Sequence, residues 1–213
     1  MSRAVDPFLV LVLLLNFFIL GTSRLRAVID GSALQGVLLG LLVILVHGGL
    51  GVQSAVVAVS AILIKGTLIP ALLHRAMRDA EIRREIEPFI GYIPSLLLGA
   101  MATGGAVLFA RALPLAPEHV GSLLVPASLA TVLSGFLVLC TRRKAITQVV
   151  GYLVLENGIF IMGLCLLEAM PFLVEVGVLL DLLVAIFGIG IIISHISREF
   201  SSLDTARLSA LRE

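Results

Sequence analysis

Seven long apolar segments constrain this chain more than any other feature of its sequence. All but the first approach the roughly 20 residues that a helix needs to cross the hydrocarbon core of a bilayer. Apolar residues make up 59% of the chain and charged residues only 14%, against about 45–50% and about 25% in soluble globular proteins. The sequence therefore predicts an all-α, polytopic membrane protein with seven transmembrane helices, over residues 7–21, 27–46, 53–76, 88–112, 120–140, 146–167 and 173–197.

Composition and charge order exclude several other classes. A net charge of +1 provides no basic surface for nucleic acid, and two cysteines do not make a disulfide framework. A signal peptide would start with positive charge and end at a small-residue cleavage site. Here Asp6 offsets Arg3, and Arg24 and Arg26 follow the first apolar segment. That segment is therefore predicted to be a retained span.

The basic residues are sorted between alternate loops of the predicted bundle. Twelve of the fifteen fall on one side, only Arg3 and Arg111 fall on the other, and Lys65 lies inside a span. The positive-inside rule then predicts an outside N-terminus and a cytoplasmic C-terminus. The predicted domains are a seven-helix transmembrane domain over 1–200 and a cytoplasmic amphipathic tail over 201–213. The twelve basic residues on the predicted cytoplasmic side are Arg24, Arg26, Arg75, Arg78, Arg83, Arg84, Arg142, Arg143, Lys144, Arg198, Arg207 and Arg212.

Three ionisable residues are predicted to lie deep inside the spans: Lys65, Glu156 and Asp181. A rise of about 1.5 Å per residue puts Lys65 roughly 18 Å, Glu156 roughly 17 Å and Asp181 roughly 12 Å from the outer ends of their spans. They therefore share a central layer on the third, sixth and seventh spans. A charge at this depth costs at least about 2.5–3.5 kcal/mol on insertion scales, so each one requires a partner or water.

Two interpretations of these charges stay open. In the structural one, Lys65 forms a buried ion pair with Glu156 or with Asp181 and fixes the register of the helices. In the functional one, the residues form a proton relay in which a carboxylate exchanges protons with water or with the lysine. Glu175, near the outer end of the seventh span, is a candidate to extend such a relay to the surface, although interfacial placement alone also explains it.

The remaining polar residues within the spans are expected to have structural roles. Asn16 and Gln35 are predicted to be interhelical hydrogen bonders. Asp30 is predicted to be a solvated residue at the inner start of the second span. Pro70 is predicted to kink the third span and to release a backbone carbonyl from the helix ladder.

Catalytic and cofactor motifs give little support for chemistry within this chain. His74 and His195 are predicted near the inner face, and His47 and His119 near the outer face, so two haems are conceivable. Histidines at the ends of spans are ordinary, however, and the pattern is weak. The sequence contains no P-loop, no nucleophile elbow and no HExxH motif. We therefore expect a chain with no cofactor and no catalytic site of its own.

Several short motifs in order give the chain a family resemblance. Residues 148–158 (QVVGYLVLENG), 173–181 (LVEVGVLLD) and 202–211 (SLDTARLSAL) resemble the component E subunit of hydrogenase-4-type complexes. Residues 63–70 (LIKGTLIP) match the lysine-bearing third span of that family. The GYxxxENG stretch is also similar to the small K-type membrane subunit of respiratory complex I. The resemblance covers most of the chain in length and span order.

The resemblance implies a non-catalytic membrane-arm subunit of a complex-I-related assembly, of the kind found in formate hydrogenlyase and other group 4 nickel–iron hydrogenases. The implied partners are antiporter-like membrane subunits, other membrane-arm subunits and soluble subunits with iron–sulfur clusters and a nickel–iron type site. The implied location is a bacterial or archaeal cytoplasmic membrane. A purely structural scaffold, a haem-bearing quinol-reactive subunit and a stand-alone transporter are the alternatives.

Matching positions carry the expected roles onto individual residues. Glu156 matches the glutamate of the ENG motif, and Lys65, Glu175 and Asp181 match basic and acidic positions of the component E pattern. These four residues are the candidate path for protons or sodium ions. The fifth span, 120–140, has no acidic residue, whereas the K-type subunit has a second membrane glutamate on the preceding helix. Lys65 or Asp181 is therefore the candidate for the missing step.

Overall fold

The computed structural model describes residues 2–46, 52–79, 88–114 and 121–166, and these residues are predominantly helical. The predicted seventh span at 173–197 and the tail at 201–213 lie outside the described residues, as do Glu175 and Asp181. The helices are α1 (Ser2–Gly21), α2 (Leu25–Val46), α3 (Val52–Ala61), a π-helical segment (Ile62–Leu68), α4 (Ile69–Asp79), α5 (Tyr92–Ala112), α6 (Leu124–Thr141) and α7 (Ala145–Leu166).

Six of the predicted spans are helices in the described residues. Each is long and apolar enough to cross a membrane, with α3, the π segment and α4 together forming the third. The chain is therefore a multi-pass helical membrane protein. The seventh helix and the orientation of the termini stay predictions.

The predicted boundaries differ from the structure mainly at the first, fourth and fifth spans, and in the fifth α6 begins at Leu124 and not at 120. Helix α1 begins at Ser2, earlier than the predicted start at 7. Helix α5 begins only at Tyr92, later than the predicted start at 88. A hydrogen bond accounts for the late start of α5. The Phe89 N–H donates to the Thr141 carbonyl over 2.8 Å, which connects the residues before α5 to the end of α6.

The third span changes its helical form where Lys65 lies. The π segment has wider turns, and at its end the Ile69 N–H donates to the Ile64 carbonyl five residues earlier. Pro70 then follows, and its nitrogen has no hydrogen to donate to the preceding turn. The π-helical geometry therefore lies directly before Pro70, where the sequence predicted a kink. Such segments are rare and occur frequently at functional sites.

Among the helices that the structure describes, α6 and α7 pack most closely, because glycines line their contact. A Cβ atom built on Gly158 would lie 2.5 Å from the backbone nitrogen of Val132. One on Gly151 would lie 2.7 Å from the nitrogen of Leu139, and one on Gly135 would overlap the backbone of Leu155. Small residues let helices approach closely in lipid. This pair therefore fixes the position of Glu156, which α7 carries.

The buried apolar side chains form two clusters, one toward each end of the bundle. The first, at the end where α1 meets α2, is built on residues such as Leu20, Ile29 and Leu73. The second, toward the opposite end, is built on residues such as Leu9, Leu39 and Ile161. Along α1, α2, α6 and α7 the members of the two clusters are separated by buried polar residues.

Arg142 occupies a buried position that the sequence did not indicate. It lies in the loop between α6 and α7, as its place among the loop charges predicted, but only 1% of it is exposed. Its guanidinium donates to the Leu20 carbonyl over 2.6 Å and to the Ile90 carbonyl over 3.1 Å, and it lies 4.6 Å from the centroid of the Tyr92 ring. The Leu20 carbonyl is in the last turn of α1, where helix carbonyls have no intrahelical donor. Arg142 therefore joins α1, α5 and α6 at this end.

We expect Gly158→Ala to destabilise the protein and Gly104→Ala to leave it unchanged or slightly more stable. The new methyl at Gly158 meets backbone at 2.5 Å, and such overpacking costs about 1–3 kcal/mol. At Gly104 a Cβ has nothing within 4 Å, so only the gain in helix propensity acts. Thermal unfolding of the purified protein in detergent measures the difference, and equal midpoints for the two variants would contradict the proposed close contact.

We also expect Arg142→Lys to lower the free energy of unfolding by about 1–3 kcal/mol, because an ammonium group cannot reach two carbonyls in the geometry of a planar guanidinium. Arg143→Lys is the matched control, since Arg143 is exposed and lies 5.3 Å from the Phe89 ring. The control should change the free energy of unfolding by less than about 0.5 kcal/mol. Urea titration followed by circular dichroism gives both values.

Candidate functional site: a polar layer across the middle of the bundle

A layer of polar side chains crosses the bundle between the two apolar clusters. Almost all of it is removed from solvent: the exposed fractions are 2% or less for every member except Lys65, whose side chain is 13% exposed. The members come from α1, α2, the π segment, α6 and α7. We refer to this set as the polar layer, and its members are Asn16, Gln35, Lys65, Thr131, Glu156 and Asn157.

Lys65 and Glu156 form an ion pair within the polar layer. The Lys65 Nζ lies 3.6 Å from Glu156 Oε2, and the Glu156 side chain is 2% exposed. The same Nζ donates to Asn157 Oδ1 over 3.5 Å and lies 5.8 Å from the centroid of the Phe160 ring. The sequence left open whether Lys65 pairs with Glu156 or with Asp181. The structure brings it to Glu156, and Asp181 lies outside the described residues.

Close contact between α2 and the third span determines where Lys65 lies. A Cβ on Gly36 would be 2.7 Å from the Lys65 Cβ, and one on Gly66 would be 2.7 Å from Val37 Cγ2. One on Gly40 would be 2.5 Å from Ile62 Cγ1. The glycines therefore bring the π segment against α2. Helix α2 also contacts α7, which carries Glu156.

A series of hydrogen bonds continues from the ion pair through the rest of the polar layer. Asn157 Nδ2 donates to Gln35 Oε1 over 3.4 Å, and Gln35 Nε2 donates to Asn16 Oδ1 over 2.7 Å. Asn16 Nδ2 donates to Thr131 Oγ1 over 2.9 Å, and the Thr131 hydroxyl donates to the Ala127 carbonyl over 2.7 Å. Asn16 and Gln35 are thus interhelical hydrogen bonders, as predicted.

Sequence reasoning missed two members of the layer. Asn157 is part of the ENG motif, but only its neighbour Glu156 was assigned a role. Thr131 was not singled out, because threonine is common in transmembrane helices and usually bonds to its own helix. The available signal was the depth of both residues, since a polar group in the middle of a span requires a partner.

A second pair of ionisable groups lies toward the end of the bundle that carries Arg24 and Arg75. His74 Nε2 is 2.8 Å from Asp30 Oδ1, and the side chains are 31% and 67% exposed. Asp30 is exposed as the sequence predicted, but it has a partner on α4. Because exposed ion pairs contribute little to stability, we treat this pair as separate from the polar layer.

We expect the effects of Lys65→Met and Glu156→Gln on stability to be strongly non-additive. Each single substitution leaves one buried group without its counter-charge, which costs up to about 3–5 kcal/mol. The double variant removes both charges and should regain about 0.5–3 kcal/mol relative to the sum of the single effects. Asp30→Asn combined with Lys65→Met is the control and should be additive, since Asp30 contacts His74. Additivity in the first pair would show that the two groups do not interact.

The comparisons with known proteins find two kinds of relative. The chain is 32% identical to the uncharacterized protein Rv0085 of Mycobacterium tuberculosis over 207 residues, which cover 95% of this chain and 93% of that protein. It is 27% identical to hydrogenase-4 component E of Escherichia coli K12 over 162 residues, which cover 75% of this chain and 74% of that protein. The same values hold for component E of Shigella flexneri. No protein-family model matches the chain, and no solved structure shows a significant match.

Proposed function

We propose a function for this chain from two similarities. The chain belongs to the same protein family as Rv0085 of Mycobacterium tuberculosis, which it matches along nearly its whole length. Its distant similarity to hydrogenase-4 component E adds a context. The chain is a non-catalytic membrane subunit of a hydrogenase-4-like, complex-I-related redox complex. In that complex it contributes charged residues to a path for protons, or for sodium ions, that is coupled to electron transfer.

The Lys65–Glu156 pair is the observation that carries this proposal. An ammonium and a carboxylate within 3.6 Å can exchange a proton to give an amine and a carboxylic acid. The exchange creates no net charge, so it avoids the cost of an isolated ion at membrane depth. Either group can then pass or receive a proton on its other side. A pair that avoids an isolated buried charge in both protonation states is suited to a step in proton transfer.

Residues outside the described part of the chain complete the proposed path. Asp181 supplies the next acidic group at a similar depth, and Glu175 connects it toward the outer surface. The chain lies in a bacterial or archaeal cytoplasmic membrane with seven spans, its N-terminus outside and its C-terminus in the cytoplasm. Soluble partner subunits carry the redox centres, and antiporter-like membrane subunits move ions beside it.

A scaffold that docks the antiporter-like subunits without conducting ions is the second candidate. One observation favours it: Lys65 contacts residues on α7 while its own segment packs against α2. The pair thus also fixes the register of the third span against α7, which is a known use of buried ion pairs. The two candidates differ in what happens when the charge is removed but the side-chain shape is kept.

Glu156→Gln in the assembled complex separates the two functions. It keeps the size of the side chain and removes its ability to accept and release a proton. We expect electron transfer to continue while the number of ions translocated per electron falls, because the glutamine amide cannot accept and release a proton as the carboxylate does. The measurement uses purified complex in sealed vesicles, with a pH-sensitive dye for protons and a ²²Na⁺ tracer for sodium.

Asp30→Asn is the matched control, since it also converts an acid to an amide on a span of this chain. Asp30 is 67% exposed and lies outside the polar layer, so translocation should be unchanged. Intact assembly and undiminished translocation in Glu156→Gln would reject the ion path and leave the scaffold.

A further inference from the structure

We propose that Asn157, Gln35, Asn16 and Thr131 form a hydrogen-bond chain of fixed direction that positions Lys65 against Glu156 and itself carries no proton. The proposal rests on the proposed function, in which the Lys65–Glu156 pair transfers a proton. It assigns to four neutral residues, on four helices other than that of Lys65, the task of holding the ammonium group in place.

Two backbone carbonyls fix the direction of this chain. The Thr131 hydroxyl donates its hydrogen to the Ala127 carbonyl, so its oxygen is left to accept from Asn16. Gln35 Nε2 donates to the Val12 carbonyl over 3.3 Å as well as to Asn16 Oδ1. A carbonyl is only an acceptor, so the nitrogen of Gln35 must face α1 and its oxygen must face away. Reversing the side-chain amide of Asn16 or of Gln35 would place its oxygen, an acceptor, against another acceptor.

The fixed direction determines what Lys65 meets. Because the Gln35 oxygen faces α7, Asn157 must offer its nitrogen to Gln35. The other end of the Asn157 amide is then its oxygen, and that oxygen accepts from the Lys65 Nζ. The order of donors from Asn157 to Thr131 therefore always presents an acceptor to the ammonium group, next to the Glu156 carboxylate.

Chemistry separates this chain of bonds from a proton relay. Side-chain amides have no group that gains or loses a proton in water, whereas lysine and glutamate side chains are titratable. Asn16, Gln35 and Asn157 thus interrupt any route of proton hopping through the layer. Each amide can form the hydrogen bonds to its neighbours in only one orientation, so each one fixes the orientation of the next. They are positioning residues, and the pair is the place where protonation changes.

Burial makes the orientation costly to change. Gln35 and Thr131 are 0% exposed, Asn157 is 1% exposed and Asn16 is 2% exposed. A reversed amide at these positions finds little access to water, and an unsatisfied buried polar group is expensive. Loss of the Thr131 hydroxyl should therefore change the position of the Lys65 ammonium group, on the far side of the layer.

The test changes the far end of the chain and observes Lys65. Thr131→Val removes the hydroxyl and keeps the side-chain size, whereas Thr131→Ser keeps the hydroxyl and is the conservative control. Gln35→Met is a second, independent variant that removes the central amide. All are made in the full chain in lipid vesicles, and translocation is measured in the complete complex.

Nuclear magnetic resonance of labelled lysine gives the readout. The chain has only two lysines, Lys65 and Lys144, so ¹⁵N labelling of lysine gives two side-chain signals, and Lys65→Met identifies which is which. Lys144 is exposed and is the internal reference signal, while circular dichroism and thermal unfolding report whether a variant is folded like the parent. The dipolar coupling between the Lys65 ¹⁵Nζ and the ¹³Cδ of a labelled glutamate, assigned with Glu156→Gln, reports their separation.

We expect the coupling to be weakened or lost in Thr131→Val and in Gln35→Met and to be retained in Thr131→Ser, with ions translocated per electron following the same order. An unchanged coupling in folded Thr131→Val and Gln35→Met would overturn the positioning role. Failure of the proposed function looks different: the coupling changes as expected, but Lys65→Met translocates normally.

The parent chain provides a test that does not depend on how variants fold. Gln35 ¹⁵Nε2 should couple to the carbonyl carbon of Val12 and to the Asn16 side-chain carbon. The reverse arrangement, with the Gln35 nitrogen coupled to the Asn157 side-chain carbon instead, would overturn the fixed direction.

Discussion

A hydrogen-bonding group in the middle of a membrane has no water to bond to, so it must find its partner inside the protein. That constraint organises the whole bundle. Polar side chains from α1, α2, α6, α7 and the third span meet at one level, and the apolar clusters occupy the levels on either side. Each polar residue determines the rotation of its helix, because a turned helix would expose it to lipid. The layer therefore supplies the orientation that apolar packing in lipid does not supply by itself.

Glycine contacts and the polar layer depend on each other. The hydrogen bonds of the layer require helix axes to be close, and the glycines on α2 and on the α6–α7 pair permit that approach. The π segment adds to this arrangement, since Lys65 lies at its middle, opposite Gly36. Helix α5 contributes least to the layer. It presents large apolar side chains such as Ile93 and Met101 to the surface and is attached mainly through α6 and α1.

The sequence predicted what depends on position along a span. Apolar length predicted six helices that the structure describes, and a count of rise per residue put Lys65 and Glu156 at one depth, where they do meet. The direction of a side chain around its helix axis was harder to predict, because the partner of a side chain depends on how neighbouring helices rotate. That is why Asn157 and Thr131 were missed and why the partner of Lys65 was left open. The burial of Arg142 was not predicted, because a count of loop charges does not show that a loop residue folds under the end of α1.

The distance along the chain between the members of the layer has a consequence for how the protein is made. Asn157, which bonds to Lys65, lies 92 residues further along the sequence. A ribosome that feeds the chain into the membrane delivers the third span long before α7 exists. During that interval the lysine enters without the glutamate that neutralises it, at a cost of about 2.5–3.5 kcal/mol. The many leucines, isoleucines and valines of the third span must outweigh that cost until synthesis reaches α7.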